Sequence, residues 1–332
     1  MILPPKKILI IRFSSIGDIV LTTPIIRCLR KKYPDAKIHF LVKAKFKNII
    51  STNPYINKFH FLKNDFKKIT DELKEEKFDC VVDLHHNLRS WLIKRSLSVE
   101  SFSFRKLNFE KWLLVNFKKD HLPRLHIVDR YFETITPLEV KNDNEGLDFF
   151  INVVDEVPLT NLPSAFSNGY IAIVLGGTFF TKRLTNEKVI SIGAKINQPI
   201  VLLGGHAELE NGIIITKALG NAKVYNAVNK YGIAQSASLI NQAAVVITND
   251  TGMMHIAAAF KKRIISVWGN TIPEFGMTPY YGSKELERKN STIVQVKNLS
   301  CRPCSKLGYS SCPKKHFKCM NDIDEEQIIA AI

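Results

Sequence analysis

No stretch of the 332-residue sequence shows the pattern expected of a secretory signal or of a membrane-spanning helix. Its first apolar run, Ile8–Ile11, is stopped at once by Arg12, so no secretory signal is visible. The longest uncharged stretch, 157–181, contains two prolines and paired glycines. That composition is typical of a linker and a strand, not of a membrane-spanning helix. The six cysteines are unevenly spaced and do not suggest a secreted disulfide scaffold. These absences predict a cytoplasmic protein.

Two sequence motifs are also missing. The loop after the first predicted strand contains no G-x-G-x-x-G, which argues against a dinucleotide-binding dehydrogenase. No Asp-x-Asp follows a strand, so the sequence implies no catalytic Mg²⁺ or Mn²⁺ and no other cofactor. The adjacent His85 and His86 suggest metal ligands, but neighbouring residues on a strand point to opposite faces. No partner carboxylate has ligand spacing, so we expect no metal there.

Acidic residues are scarce relative to basic ones. The chain holds 31 Asp and Glu against 47 Lys and Arg, which gives a formal net charge of +16. This balance predicts anionic partners such as nucleic acid, acidic lipid headgroups or phosphorylated substrates. Residues 85–125 contain nine Lys and Arg against three Asp and Glu, with six large aromatic side chains interleaved. Two amphipathic helices with a solvated basic face would produce this pattern, and so would a surface that lies against an anionic membrane.

An alternation of strands and helices does occur, and it occurs twice. Lys7–Arg12 and Ile38–Val42 are strand-like runs separated by a helical pattern, and a similar array restarts after a polar, proline-bearing stretch. We therefore predict an α/β protein with two Rossmann-like domains, residues 1–155 and 169–332, joined by a linker over 156–168.

The most informative stretch is 243–269. It begins with the β-branched run Ala244–Thr248, turns at a polar loop, and continues as an alanine-rich helix over Met253–Phe260. In such a unit the loop lies at the carboxyl end of a parallel strand, where open α/β sheets bind ligands. The free N–H groups of the helix then face an anion, most often a phosphate. Alternatively, Asp250 only caps the helix and His255 is an ordinary packed histidine.

This stretch resembles the signature of glycosyltransferase family 9, the ADP-heptose:lipopolysaccharide heptosyltransferases, which reads Asp-Thr-Gly-x-x-His before alanine-rich residues. Four residues match it position by position: Asp250, Thr251, Gly252 and His255. The resemblance implies that these residues bind a nucleotide-sugar donor. For His255 it leaves open whether the ring contacts the phosphate or packs under the loop.

The loop after the first strand, Ser14-Ser15-Ile16-Gly17-Asp18, resembles the N-terminal motif of the same family. The resemblance implies that Asp18 is the catalytic base and that Ser15 and Gly17 lie on the acceptor side. The segment from Asp83 to Arg89 is similar to one that family members carry beside the acceptor, which makes Arg89 an acceptor-side candidate.

Two further segments resemble the donor-binding part of the family. Gly177-Thr178 followed by Lys182 resembles the donor-phosphate segment, so Thr178 and Lys182 are donor-site candidates. The family often continues Lys-x-Trp-Pro, whereas this chain continues with Arg183, Leu184 and Thr185. The phosphate-binding cation therefore stays open between Lys182 and Arg183. Glu208 stands where a family carboxylate approaches the nucleotide ribose and can accept from both hydroxyls. It can equally be an ordinary acid in the first turn of a helix.

Taken together, the resemblance implies a GT-B architecture, in which two Rossmann-like domains face each other across a cleft. It implies an inverting glycosyltransferase that moves heptose from a nucleoside-diphosphate sugar, first of all ADP-heptose, to an anionic lipopolysaccharide inner-core glycolipid at the inner face of the cytoplasmic membrane. It implies no nucleic-acid partner. Two alternatives remain: another enzyme of this architecture with a different donor or a soluble acceptor, and a basic nucleic-acid-binding protein, for which no recognised motif is present.

The C-terminal tail carries four cysteines with a histidine among them: Cys301, Cys304, Cys312, Cys319 and His316. One C-x2-C pair is present, but the second pair of a zinc ribbon is missing. Structural zinc and free thiols in a small lobe both remain open. The last residues, Asp324–Ile332, predict a terminal helix, which in GT-B enzymes commonly crosses back to the first domain.

Overall fold

The computed structural model describes residues 4–332, which form two units, each built around one parallel β-sheet. The first unit comprises Met1–Leu107 and Leu125–Phe150, and the second comprises Asn108–Arg124 and Ile151–Ile332. Two α/β units with parallel sheets agree with the predicted fold class.

The strands, helices and 3₁₀ turns of the described residues follow one another in a regular alternation. The strands are β1 (Lys7–Ile11), β2 (Lys37–Lys43), β3 (Lys58–Leu62), β4 (Cys80–Asp83), β5 (Glu100–Ser103), β6 (Ile171–Val174), β7 (Ile200–Leu203), β8 (Val224–Asn226), β9 (Val245–Asn249), β10 (Arg263–Trp268) and β11 (Ser291–Gln295). The helices are α1 (Ile16–Val20), α2 (Thr23–Lys32), α3 (Lys47–Ile50), α4 (Phe66–Glu75), α5 (Leu88–Leu97), α6 (Asn108–Phe117), α7 (Ile127–Thr134), α8 (Asn186–Lys195), α9 (Leu209–Leu219), α10 (Ile233–Gln242), α11 (Gly252–Ala259), α12 (Lys284–Asn290), α13 (Lys318–Asn321) and α14 (Glu325–Ile329). The 3₁₀ turns are Ala44–Phe46, Thr136–Leu138, Val153–Asp155, Leu159–Asn161, Ser164–Phe166, Phe180–Lys182, His206–Glu208 and Pro273–Phe275.

The strand order in both sheets reverses at one point. The first sheet runs β3-β2-β1-β4-β5, and the second runs β11-β10-β9-β6-β7-β8. All of their pairings are parallel. Chain order therefore reverses between β1 and β4 in the first sheet and between β6 and β9 in the second. Each of these two places is called a switch point below. Loops leaving such a pair of strands diverge and leave a crevice at the carboxyl ends, where open α/β sheets bind ligands.

The central strands are almost completely apolar because they are covered on both faces. Ile8–Ile11 in β1 and Ile200–Leu203 in β7 are 0–1% exposed. Helices such as α4 and α8 bury one apolar stripe, which includes Ile69 and Leu73 in α4 and Val189 in α8. This burial of apolar surface holds each sheet and its helices together.

The predicted domain boundary differs from the structure at residues 108–124, which belong to the second unit. Lys118 Nζ donates to the carbonyl oxygen of Pro303 at 2.8 Å, and Lys111 Nζ lies 4.9 Å from the ring centre of Phe275. These partners lie far along the chain, so local composition carries no sign of them. The assignment of this segment to a first domain over 1–155 is therefore corrected.

The predicted linker, 156–168, is a packed part of the second unit. Val157, Leu162 and Phe166 are buried, and the Val157 N–H donates to Ser238 Oγ at 3.0 Å. Its prolines and polar residues build two 3₁₀ turns and not a flexible connection.

The terminal helix α14 also packs within the second unit, against α8. Glu325 accepts from Lys188 Nζ at 3.0 Å and from Ser191 Oγ at 2.5 Å, and Ile328 is fully buried. The expectation that this helix crosses back to the first domain is therefore not supported by its contacts. Across residues 4–332, the helices lack the combined length and apolar character that spanning a bilayer requires.

Candidate active site

Asp18 lies in the first turn of α1, directly after the loop that leaves the carboxyl end of β1. One carboxylate oxygen lies 2.5 Å from Arg12 Nη2. The other accepts from the backbone N–H of Ser15 at 3.1 Å and from its hydroxyl at 2.6 Å. The side chain keeps 20% of its surface exposed. Asp18 is therefore held in one orientation and remains accessible, as a general base must be.

Arg12, which was not identified from the sequence, lies on the buried side of Asp18 and holds its carboxylate through the ion pair. It is buried and donates to the hydroxyl of Tyr131 at 2.9 Å, to the carbonyl oxygen of Leu84, and to that of Ser14 at 2.8 Å. Burial by itself lowers the pKa of Arg12, but Asp18, Tyr131 and Asp83 outweigh it, so the pKa is raised. Burial raises the pKa of Tyr131 to about 12. A permanent cation thus faces Asp18.

Asp83 ends β4 on the other side of the switch point and is completely buried. Its carboxylate accepts from Ser90 Oγ at 2.7 Å and from the backbone N–H groups of His85 and His86 at 3.0 and 2.7 Å. Lys94 Nζ lies 3.0 Å from the same carboxylate. Asp83 therefore shapes the loop after β4 and fixes the start of α5.

His85 and Arg89 lie on the loop after β4 and on α5. The His85 ring packs 4.7 Å from Phe13, and its buried Nδ1 has no hydrogen-bond partner within residues 4–332. Burial, together with Arg12 and Lys106, lowers the pKa of His85 to about 4, so the ring is neutral at pH 7. Arg89 is exposed in the first turn of α5.

In the second unit, Lys182 and Asp250 meet at the switch point between β6 and β9. Their side chains form a short ion pair, and Thr271 Oγ1 donates to the same carboxylate oxygen at 2.9 Å. Asp250 thus holds a lysine ammonium group in place beside the start of α11. The sequence singled out both charged residues but not Thr271, which follows β10.

Arg183 and Glu208 form a second ion pair, 3.1 Å between Nη1 and Oε1. Arg183 Nε donates to the carbonyl oxygen of Gly177 at 2.6 Å, and Glu208 accepts from the backbone N–H of Gly205 at 2.9 Å. Glu208 is buried, unlike an ordinary surface acid at a helix start. The two cations therefore have different carboxylate partners, Asp250 for Lys182 and Glu208 for Arg183. Thr178 is exposed on the loop that follows β6.

The start of α11 is not capped by a side chain. Thr251 is the N-cap residue, with no side-chain hydrogen bond to the helix, and Gly252 is the first helical residue. Asp250 is paired with Lys182 instead, which contradicts the alternative that it only caps the helix. His255 is buried in α11, with 2% of its surface exposed. The first N–H groups of this helix are the kind of donors that receive a phosphate.

One group of potential metal ligands lies away from both switch points. Within residues 4–332, ligand atoms of His39, His60 and Glu76 lie within 4.8 Å of one another, and the tail cysteines form no such group. Glu76 pairs with Lys7 at 3.0 Å and with Lys58 at 2.5 Å. Burial lowers the pKa of His39 to about 4, and both lysines act in the same direction. Both Glu76 oxygens are taken up by lysines, and His39 Nδ1 is hydrogen-bonded to His60 Nε2 at 3.0 Å, so we interpret the group as a structural hydrogen-bond network.

A parallel sheet with a charged site at its strand-order reversal occurs in both units, and two Rossmann-like units of this kind define the GT-B class of glycosyltransferases. A model of glycosyltransferase family 9 (heptosyltransferase) matches residues 66–312. The chain therefore belongs to glycosyltransferase family 9, and it is a glycosyltransferase.

Relatives and solved structures cover nearly the whole chain. Lipooligosaccharide heptosyltransferase 2 of Campylobacter jejuni is 23% identical over 329 residues, which are 97% of this chain and 96% of the relative. The structure of ADP-heptose lipopolysaccharide heptosyltransferase II of E. coli matches with a TM-score of 0.74 at 20% identity, over 98% of this chain and 97% of that chain. E. coli heptosyltransferase WaaC with ADP matches with a TM-score of 0.66 at 21% identity, over 98% and 99%.

Proposed function

We propose that the protein transfers heptose from ADP-heptose to a lipopolysaccharide inner-core glycolipid, with inversion at the anomeric carbon. The observation that carries the proposal is that each unit has a charged site at its switch point. The first unit has an oriented carboxylate, and the second has an ammonium group beside a helix start that no side chain caps. The donor follows from the relatives: one solved structure is named for ADP-heptose, and WaaC has been solved with ADP-2-deoxy-2-fluoro heptose.

Asp18 acts as the general base in this proposal. It takes the proton from the acceptor hydroxyl as that oxygen bonds to the anomeric carbon of the donor, and the bond from this carbon to the diphosphate breaks. Arg12 and Ser15 keep the carboxylate in place through an ion pair and two hydrogen bonds. Ser15, Gly17 and Arg89 remain proposed acceptor-side residues.

The diphosphate leaving group is stabilised in the second unit. The first N–H groups of α11, at Thr251 and Gly252, together with Lys182, offset the charge that develops on the leaving oxygen. Glu208 accepts from the ribose hydroxyls, while Thr178 and His255 complete the proposed donor site. The proposed mechanism contains no step that uses a metal ion.

The test is calorimetry with a panel of nucleotide sugars, followed by transfer to a lipid-linked acceptor. We expect ADP-heptose to bind and to be consumed with inversion. Binding of another nucleotide sugar with no binding of ADP-heptose would contradict the donor assignment. Transfer to a soluble sugar only would contradict the acceptor.

We also propose that the protein works in the cytoplasm as a peripheral protein at the inner face of the membrane, because a lipid-linked acceptor stays in the bilayer. Helix α5 supports this proposal with Leu88, Trp91 and Leu92, which are 72, 45 and 40% exposed, and with an exposed Arg95 over the Trp91 ring. Helix α6 carries exposed aromatic side chains as well: Phe109, Trp112 and Phe117.

Anionic vesicles test this membrane proposal. We expect sedimentation with them at low salt, release at raised salt, and little binding to neutral vesicles, since each Lys or Arg near an anionic surface contributes about 1 kcal/mol. Arg95→Glu should weaken binding, and the same charge change at the exposed Lys217 should not. Lys94, although basic, is unsuitable because it pairs with the buried Asp83. Equal binding to neutral and anionic vesicles would contradict the proposal.

A further inference from the structure

The cysteine-bearing tail is hydrogen-bonded to the loop after β6, which carries Lys182, and to the loop after β10, which carries Thr271. Arg302 lies between Cys301 and Cys304, and its guanidinium donates to three backbone carbonyl oxygens. Its Nη2 reaches the carbonyl of Thr271 at 2.8 Å, Nη1 reaches that of Val296 at 3.0 Å, and Nε reaches that of Gly269. Two of these acceptors flank a single residue of the loop after β10, so that loop is held on both sides.

The loop that Arg302 holds also contacts the proposed donor site, through Thr271. The backbone of Thr271 accepts from Arg302, while its hydroxyl donates to Asp250 Oδ2 at 2.9 Å. Asp250 in turn pairs with Lys182. One residue therefore lies between the tail guanidinium and the carboxylate that positions the lysine ammonium group.

The second connection reaches the residue just before Lys182. The N–H of Tyr309 donates to Thr181 Oγ1 at 2.8 Å, and the N–H of Thr181 donates to the carbonyl of Tyr309 at 3.2 Å. Asn270 N–H donates to the carbonyl of Thr181 at 3.3 Å, which joins the two loops to each other. Thr181 is buried, with 1% of its surface exposed.

The tail and the neighbouring loops pack closely at two glycines of this assembly. A Cβ atom at Gly269 would lie 2.6 Å from Met320 Cε and 2.7 Å from the carbonyl oxygen of Thr181. A Cβ atom at Gly308, where φ is +136°, would lie 2.5 Å from Phe179 Cβ. Both contacts are too short for any side chain, so tail and donor loops fit together only as they stand.

We propose that the tail is a part of the donor site, in which Arg302 and Thr271 are positioning residues for the Asp250–Lys182 pair. Arg302 and Thr271 fix the position of the Lys182 ammonium group that binds the diphosphate, and they do not contact the donor themselves. The inference rests on the proposed function, because it assigns the tail a role in binding a nucleoside diphosphate.

The experiment measures the affinity of the full-length protein for ADP by calorimetry. Arg302→Met keeps the length of the side chain and removes its donors, and Arg288→Met on the exposed face of α12 is the matched control. We expect about a tenfold weaker Kd for Arg302→Met, since losing hydrogen bonds that orient a charged group has this size, and no change for the control. In turnover, the donor KM should rise while the acceptor KM stays.

A second pair of variants guards against misfolding. Thr271→Val removes only the hydroxyl that donates to Asp250, and Thr271→Ser retains it. We expect weaker ADP binding for Thr271→Val and wild-type affinity for Thr271→Ser. Wild-type affinity in Thr271→Val, or in a folded Arg302→Met, would overturn the inference and leave the proposed function standing. Absence of ADP, GDP and UDP binding in the wild-type protein would overturn both.

Discussion

The two switch-point sites use an ion pair in opposite ways. In the first unit the cation is deep, because Arg12 is buried beneath an Asp18 that remains partly exposed. In the second unit the carboxylate of Asp250 is the organising group, tied to the Thr271 hydroxyl as well as to Lys182. The same topology thus presents a carboxylate in one unit and an ammonium group in the other. The difference lies in the charge of the group that positions its partner, a cation (Arg12) in the first unit and an anion (Asp250) in the second.

This difference matters chemically because a base and an anion-binding group need opposite surroundings. A guanidinium of raised pKa stays charged at all working pH values and stabilises an ionised carboxylate next to it. An ammonium group held by a carboxylate is fixed in place and can still contact a phosphate. The variants below separate the two functions.

The largest effect is expected at Asp18. Asp18→Asn keeps the size of the side chain and removes the basic oxygen, so kcat should fall by roughly 100-fold or more. The Kd for ADP should stay as in the wild type, because the proposed donor site belongs to the second unit. Asp71→Asn, an exposed change on α4, is the control. Near-normal kcat in Asp18→Asn would show that Asp18 is not the base.

The next largest effect is expected at Lys182, where the Kd for ADP should change and not only kcat. Lys182→Met removes the ammonium group from the donor site, and the Kd for ADP should rise by about tenfold or more. Lys217→Met, an exposed change on α9, should leave it unchanged. Arg183→Met completes the comparison. A larger loss in Arg183→Met than in Lys182→Met would make Arg183 the phosphate-binding cation.

A smaller effect concerns the pH dependence of folding in the first unit. Burial lowers the pKa of His85 to about 4 in the folded protein, below the ordinary value of about 6.5. Between these values the unfolded chain binds a proton that the folded chain does not, so the free energy of unfolding falls as pH decreases through this range. The slope for one such group is at most about 1.4 kcal/mol per pH unit.

His85→Gln should therefore reduce the loss of stability between pH 6.5 and 4, measured by urea unfolding. Part of the dependence should remain, because burial lowers the pKa of His39 to about 4 as well. His121→Gln, at an exposed position, is the control. An unchanged pH profile in His85→Gln would contradict the role assigned to its burial.

The smallest effect is expected on chelation. Neither site depends on a metal ion in the proposed mechanism, so transfer should survive excess EDTA. Loss of activity that Mg²⁺ or Mn²⁺ restores would contradict this expectation. Loss of folded protein that Zn²⁺ restores would instead implicate the tail cysteines.

Several features could be predicted because they depend on local pattern. The strand-like runs before two polar loops predicted β1 and β9 to within one residue at each end, and the alanine-rich helix predicted over Met253–Phe260 is α11, shifted by one residue. The candidate residues lie on the loops, turns or helices that follow β1, β4, β6, β7 and β9, since a change from strand to polar loop is visible in the sequence. Their catalytic and binding roles remain predictions.

The sequence by itself determined the alternation of elements, the loops that carry the charged residues and the basic character of the chain, because each follows from nearest neighbours along the chain. Only the tertiary structure decided the partners. Arg12 meets Tyr131 and Asp250 meets Thr271 because strand order brings distant loops together. Strand order depends on how whole sheets and helices pack, and the same apolar strands would satisfy local patterning in several orders. The attachment of residues 108–124 to the second unit and the contacts of the tail with Thr181 and Thr271 were decided in the same way, by packing and not by pattern.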